Sequence, residues 1–162
     1  MANFDVALQW ALDFEDPQRK YAVVPDVGGY AVAGVNSHVF PQEYVEIAAA
    51  PVAARPALVA TFYRTHFWNK WLEQLMDDEL AKRVFDAGVN MGSGTAVKLL
   101  QAASQSPVDG AWGPLTVQAV NQGGTYLVAA FKAQRCAHYQ AIVDRNPPSA
   151  KYLDGWLARA GK

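Results

Sequence analysis

The sequence predicts a mainly α-helical protein with one small β element near residues 20–40. Three observations predict it. Apolar side chains recur at helical spacing through most of the chain, strand-like patterning is confined to one stretch, and Pro and Gly punctuate the segments between.

Phe4, Ala7, Leu8, Ala11 and Leu12 fall on one helical face, with Asn3 placed as N-cap and Asp16-Pro17 as the stop. From Lys20 to Phe40 the pattern becomes Tyr21, Val23, Val24, then Gly28-Gly29, then Val32, Val35 and Val39. That reads as short strands and turns, the only sheet expected. Helical periodicity returns after Pro56, a suitable first helical residue, and continues through Phe62, Trp68 and Trp71. A helix follows from about Asp78 to Asn90, closing on Gly92, and a shorter one from Thr95 to Ala103. Asp109-Gly110 is a turn, and Pro114 opens a helix that stops near Gly123-Gly124. Thr125 to about Arg145 is one long helix ended by Pro147-Pro148, after which Ser149 is placed to cap a last helix through Trp156 and Leu157. There is no internal repeat and no low-complexity segment.

The 162 residues suit one compact domain or two closely packed lobes, and about half of them are apolar, enough for a substantial core. Fourteen basic side chains stand against fifteen acidic ones, for a formal net charge of -1. A nucleic-acid footprint calls for a strong basic excess, so nucleic acid is not an expected partner. Cys136 is the only cysteine, which excludes an internal disulfide. Residues Met1 to Leu12 lack the basic and apolar regions of a signal peptide. The apolar run from Ile47 to Phe62 is broken by Pro51, Arg55 and Pro56, so no stable membrane insertion is expected. The chain is therefore expected to be made in the cytoplasm without a signal peptide and to act as a monomer.

Glu15 lies about three helical turns after Phe4, on the face of Phe4, Leu8 and Leu12. A carboxylate at the end of an apolar stripe is costly when ionised, so its pKa is expected to be raised, as a general acid requires. The plainer reading is a solvated or capping glutamate. Asp16 beside it is a second candidate, pointing about 100° away if the helix continues. Asp26 precedes Gly28-Gly29-Tyr30 in the β element and is either a turn residue or the carboxylate facing Glu15, the arrangement of glycoside hydrolysis.

The order Glu15, then Asp26-Val27-Gly28-Gly29, then Ala33-Gly34-Val35 resembles the start of glycoside hydrolase family 108 muramidases. Phe62-Tyr63-Arg64-Thr65-His66-Phe67-Trp68 resembles the family's Tyr-Arg-x-x-Tyr-Trp segment, and Phe85-Asp86-Ala87-Gly88-Val89-Asn90-Met91-Gly92 its Phe-Asp-x-x-x-Asn-x-Gly. Downstream, Leu100-Gln101, Asp109-Gly110, Gly113-Pro114, Thr116 and the closing Gly155-Trp156-Leu157-Ala158-Arg159 resemble the predicted peptidoglycan-binding region that accompanies the family. The resemblance implies a lysozyme-like fold with a hydrolase lobe over residues 1–92 and a helical peptidoglycan-binding lobe over residues 93–162, packed as one unit. It implies hydrolysis of the β-1,4 bond between N-acetylmuramic acid and N-acetylglucosamine, with Glu15 as catalytic acid, Asp26 as its partner, and no cofactor. Peptidoglycan glycan strands are the partner it implies, reached in the periplasm through holin-type release, as a phage endolysin is, or by injection through a secretion machine.

The chain departs from that pattern in two places. Asp16-Pro17-Gln18 follows Glu15 instead of Gly-Gly-Tyr, and no threonine or serine occupies Tyr30–Val35. Val32 stands about where phage lysozymes carry a water-holding threonine, leaving Ser37, Tyr30 or Asp26 alone for that task. These departures motivate the rival reading, a non-catalytic peptidoglycan-binding or regulatory protein on the same fold. A metal amidase is the other rival, against which His38, His66 and His138 show no paired metal spacing, so no metal site is expected. Cys136 and His138 point in different directions on a helix and form no dyad. Substrate contacts are expected from Tyr30, from Trp112 in its turn as a sugar-stacking platform, and from Asn90 as a hydrogen-bonding partner of an N-acetyl group.

Overall fold

The computed structural model describes residues 1–162 and contains nine α-helices and one three-stranded sheet. Helix α1 (Phe4–Glu15) begins where its cap was expected: the Asn3 side chain accepts from the Asp5 and Val6 amides at 2.9 and 3.3 Å. It buries the whole predicted stripe, Phe4, Ala7, Leu8, Ala11 and Leu12. Asp16 leaves the helical region at φ -151°, ψ 73°, directly before Pro17.

The sheet consists of β1 (Val23–Asp26), β2 (Gly29–Val32) and β3 (Val35–Asn36), antiparallel in that order. Asp26 pairs with Gly29 at one end of β2, and Val32 pairs with Val35 at the other. Ala33 and Gly34 make the β2–β3 turn with φ of 46° and 83°, the left-handed pair that a two-residue hairpin of matching twist requires. Val32 and Val35 point into the core, while β1 is exposed along its length.

Two helices depart from expectation. Residues Pro41–Ala49 form α2, which the sequence reading left unassigned. Only Ile47 of it is fully buried, with Tyr44 and Ala48 partly buried beside it. It rests on the sheet and on α3 (Arg55–Phe67), where His66 Nε2 meets Glu43 Oε1 at 2.8 Å. The helix after Pro56 also stops at Phe67 instead of reaching Trp71. Asn69 accepts from the Trp71 and Leu72 amides at 2.9 and 3.1 Å and so starts a separate turn, α4 (Lys70–Glu73).

Helix α5 (Asp78–Met91) is the central pillar, packed by α1, α6 (Ser93–Ala103) and α8 (Tyr126–Arg145). One apolar cluster runs from Phe4 to Phe131 and so joins residues on both sides of Gly92. Helix α7 (Pro114–Gly123) and the terminal α9 (Leu153–Gly161) complete the chain. Ser149 does not cap α9. It lies inside a 3₁₀ segment (Pro147–Tyr152), where its Oγ accepts from Asn146 Nδ2. No helix is long and apolar enough to cross a membrane.

The Leu-Gln and Asp-Gly-x-x-Gly-Pro-x-Thr signatures turn out to be one structural knot. Gln101 is 1% exposed. Its amide nitrogen reaches Asp109 Oδ1, the Ala111 carbonyl and Thr116 Oγ1 at 2.7–3.1 Å, and its oxygen accepts from the Gly110 amide at 2.8 Å. Gly110 takes φ 77°, a conformation that suits glycine. The Ala111 amide and then Gln101 hold the Asp109 carboxyl below its ordinary pKa. Gln101→Leu strands several of these polar groups, so we expect a loss of about 3 kcal/mol in urea unfolding. A loss below about 1 kcal/mol would mean that the turn stands without its glutamine.

Candidate active site

The end of α1, the loop Asp16–Ala22 and the sheet enclose a cavity of about 330 Å³, lined by Glu15, Asp16, Pro17, Gln18, Lys20, Ala22, Val24 and Ala33. Glu15 arrives there as the last residue of α1, on the same face as the buried stripe. Its carboxylate is not isolated, however. Arg159 Nη2, from α9, donates to Glu15 Oε1 at 2.8 Å. The same guanidinium donates to Asp86 Oδ1 at 2.7 Å through Nη2 and at 3.0 Å through Nε. Arg135 Nη2 donates to Asp86 Oδ2 at 2.9 Å.

Asp86 and Arg135 are fully enclosed, and Arg159 is 12% exposed with its guanidinium 4.7 Å from the centre of the Phe14 ring. Burial opposes the charge of Arg159, but hydrogen bonds and attraction from Asp86 and Glu15 outweigh it and push its pKa further above the ordinary arginine value. The four groups form an alternating chain, Glu15, Arg159, Asp86, Arg135, in which every buried charge has a partner.

The opposite wall is the β2–β3 turn. A Cβ built on Gly34 would stand 2.5 Å from Tyr63 Oη and 2.8 Å from Glu15 Oε2, so only glycine allows this close an approach. Tyr63 Oη donates to the Ala33 carbonyl at 2.9 Å and fixes that turn. Burial first, and then the charge of Glu15, raise the Tyr63 pKa well above its usual value.

Asp16 also lines the cavity. Having left the helix, it is free of the helical offset expected from sequence. Its two oxygens accept from the Lys20 amide at 3.1 Å and the Tyr21 amide at 2.7 Å. The loop is braced further: Arg19 and Tyr21 both take positive φ, and Arg55 Nη1 donates to the Tyr21 carbonyl at 2.8 Å.

The structure does not bring Asp26 to this cavity. It sits at the far end of β2, where its Oδ2 accepts from Asn36 Nδ2 and its Oδ1 from the Val27 amide. Four residue steps along β2 lead from its partner Gly29 to Ala33, a span on the order of 13 Å. Val32 is wholly buried, so a hydroxyl there would face the core, and Ser37 Oγ is engaged by the Tyr30 amide. Tyr30 is exposed at the Asp26 end of the hairpin, outside the cavity.

Asn90 lies one turn beyond Asp86 on α5, and its Oδ1 accepts from Tyr139 Oη. Tyr139 in turn stacks on Trp156 at 5.2 Å. Trp112 is half-buried against Phe67, Leu72 and Val84 and is not the exposed platform expected from its turn. A larger hollow, of about 620 Å³, opens between the start of α5 and the α7–α8 junction. Its three acids are already committed: Asp77 caps α5, Asp78 accepts from the Asn3 amide, and Glu79 pairs with Lys82 and Arg83.

Sequence reasoning gave no role to Arg159, Asp86, Arg135 or Tyr63. Three of them stand in recognised segments, Tyr-Arg, Phe-Asp and Gly-Trp-x-x-Arg, and that shared membership was the available signal.

Residues 21–92 match the family described as Glycosyl hydrolase 108, and residues 95–161 match the Predicted Peptidoglycan domain. Glu15 lies six residues before the first of these segments. No curated protein matches the chain. Among solved structures, Brucella abortus SagA is similar in fold, with a TM-score of 0.72, 21% identity, and coverage of 98% of this chain and 89% of that one. The architecture is the mainly α, lysozyme-like fold expected from sequence.

Proposed function

Since residues 21–92 belong to the glycosyl hydrolase 108 family and residues 95–161 form its predicted peptidoglycan domain, we propose that this peptidoglycan hydrolase is an N-acetylmuramidase with Glu15 as its acid. The observation that carries the reading is the Glu15 carboxylate on the cavity wall, gripped on one oxygen by Arg159 and approached on the other side by Gly34. Proton transfer to the glycosidic oxygen leaves negative charge on Glu15. A guanidinium already in place stabilises that charge as it develops, without reorganisation.

The C-terminal segment is thereby part of the reaction centre, and residues 1–92 and 93–162 work as one unit. Peptidoglycan strands are the substrate, cut between N-acetylmuramic acid and N-acetylglucosamine by a monomer acting on the cell wall. Delivery through holin pores suits a phage endolysin, and injection by a secretion machine suits a toxin.

Asp26 serves the hairpin. Asp26→Asn is expected to lower turnover less than about threefold, whereas loss of a water-activating base costs a hundredfold or more. A hundredfold fall with unchanged melting temperature would return Asp26 to the chemistry.

A second reading keeps the fold without the reaction. It is favoured by the hairpin, where Asp26 is absent from the cavity wall and Ala31–Gly34 carry no hydroxyl side chain. Digestion of purified peptidoglycan with mass spectrometry of the fragments separates the two. Fragments ending in reducing N-acetylmuramic acid support the muramidase. Intact strands, with the protein pelleting on the wall, support the binding protein.

A further inference from the structure

We propose that bond cleavage is assisted by the substrate's own acetamido group, with Asp16 as the residue that orients it. This rests on the reading of Glu15 as acid and goes beyond it by naming the nucleophile. The two common glycosidase schemes need a second carboxylate, either 5–5.5 Å away as nucleophile or roughly 6.5–9.5 Å away as base. Asp26 is absent from the cavity wall, its oxygens accepting from the Val27 amide and Asn36 Nδ2. The only other carboxylate on the cavity wall is Asp16.

Asp16 is well built to hold a dipole. Both its oxygens are pinned by backbone amides, of Lys20 and Tyr21, and the loop carrying those amides is braced by Arg55. An ionised carboxylate has about four acceptor positions, so two remain for a ligand N–H. Both sugars of peptidoglycan carry an acetamido group at C2. Its N–H suits Asp16, and its methyl suits the apolar side of the cavity, Ala22, Val24 and Ala33.

The electron bookkeeping is complete without another group. Glu15 transfers its proton to the bridging oxygen as the bond from that oxygen to C1 breaks. The acetamido carbonyl oxygen closes on C1 from the opposite face and forms a five-membered oxazolinium ring, whose N–H stays on Asp16. Water then adds to C1, gives its proton to the Glu15 carboxylate and reopens the ring. One water is consumed, and C1 ends with the configuration it began with.

Time-resolved proton NMR of glycan-strand cleavage by the wild-type protein is the test, run beside strands whose acetyl groups are replaced by trifluoroacetyl. Retained β configuration in the first product, with a rate that falls steeply on fluorination, is the expected result. An inverted product, or indifference to fluorination, overturns the acetamido step while leaving Glu15 as acid. Failure of the wild type to cleave either strand overturns both readings together. Asp16→Asn should lower kcat roughly a hundredfold with little change in KM, and it should respond less steeply to fluorination than the wild type. Equal fluorine sensitivity in the two proteins would remove Asp16 from the step.

Discussion

Glu15→Gln should lower glycan cleavage by at least about a thousandfold while leaving the protein folded, its stability changed by no more than about 1 kcal/mol. Glutamine has the size of glutamate and can still accept from Arg159, but it has no acidic proton to give. The stability half of this expectation comes from the structure. Sequence alone suggested a lone carboxyl against an apolar face, whose removal would be neutral or stabilising. Glu15 is in fact paired at 2.8 Å, and Arg159 keeps Asp86 when that pair is weakened. Release of reducing ends and a thermal melt on the same preparation measure both halves. Wild-type cleavage in the variant would remove Glu15 from the chemistry, whatever the melt shows.

The largest stability effect is expected from Asp86→Ala. Asp86 is 0% exposed and is the only anion touching Arg135, which is 1% exposed. Pairing charges in the interior gains little over an apolar core, but removing one member leaves its partner charged and desolvated. Alanine here strands one guanidinium completely and leaves the other with Glu15 alone. We expect a loss of about 3–5 kcal/mol, or a fall in Tm of roughly 6–20 °C for a chain of this size. Activity measured below the new midpoint should fall as well, because Arg159 loses the contact that aims it. A Tm shift under about 2 °C would show that water reaches Arg135, contrary to its burial.

The elements that could be read from sequence are those written in local chemistry. The α1 stripe, the Asn3 cap and the glycine-rich hairpin depend on neighbours within a few residues, and all three are present. Helix α2 was missed although Tyr44, Ile47 and Ala48 fall at helical spacing, because the stripe is one turn long and only Ile47 of it is fully buried. The break at Asn69 was missed because a capping side chain interrupts a helix without disturbing its apolar spacing. For the cavity, position along α1 identified Glu15. The partners of Glu15 could not be found that way, since Arg159 lies 144 residues away and Asp86 is brought between them only by packing. Asp26, close to Glu15 in sequence, is absent from the lining of the Glu15 cavity and is hydrogen-bonded within the hairpin instead.

The clamp on Glu15 also bears on inheritance. Modular wall enzymes are commonly pictured as a cutting part joined to an exchangeable anchor. Here the residue that grips Glu15 belongs to the segment that would be exchanged. A recombinant that grafted a foreign anchor after Gly92 would keep Glu15, its hairpin and its cavity, yet leave Asp86 and Glu15 without their shared cation. Descent should therefore have kept the two segments together, with Arg159 varying only in step with Asp86.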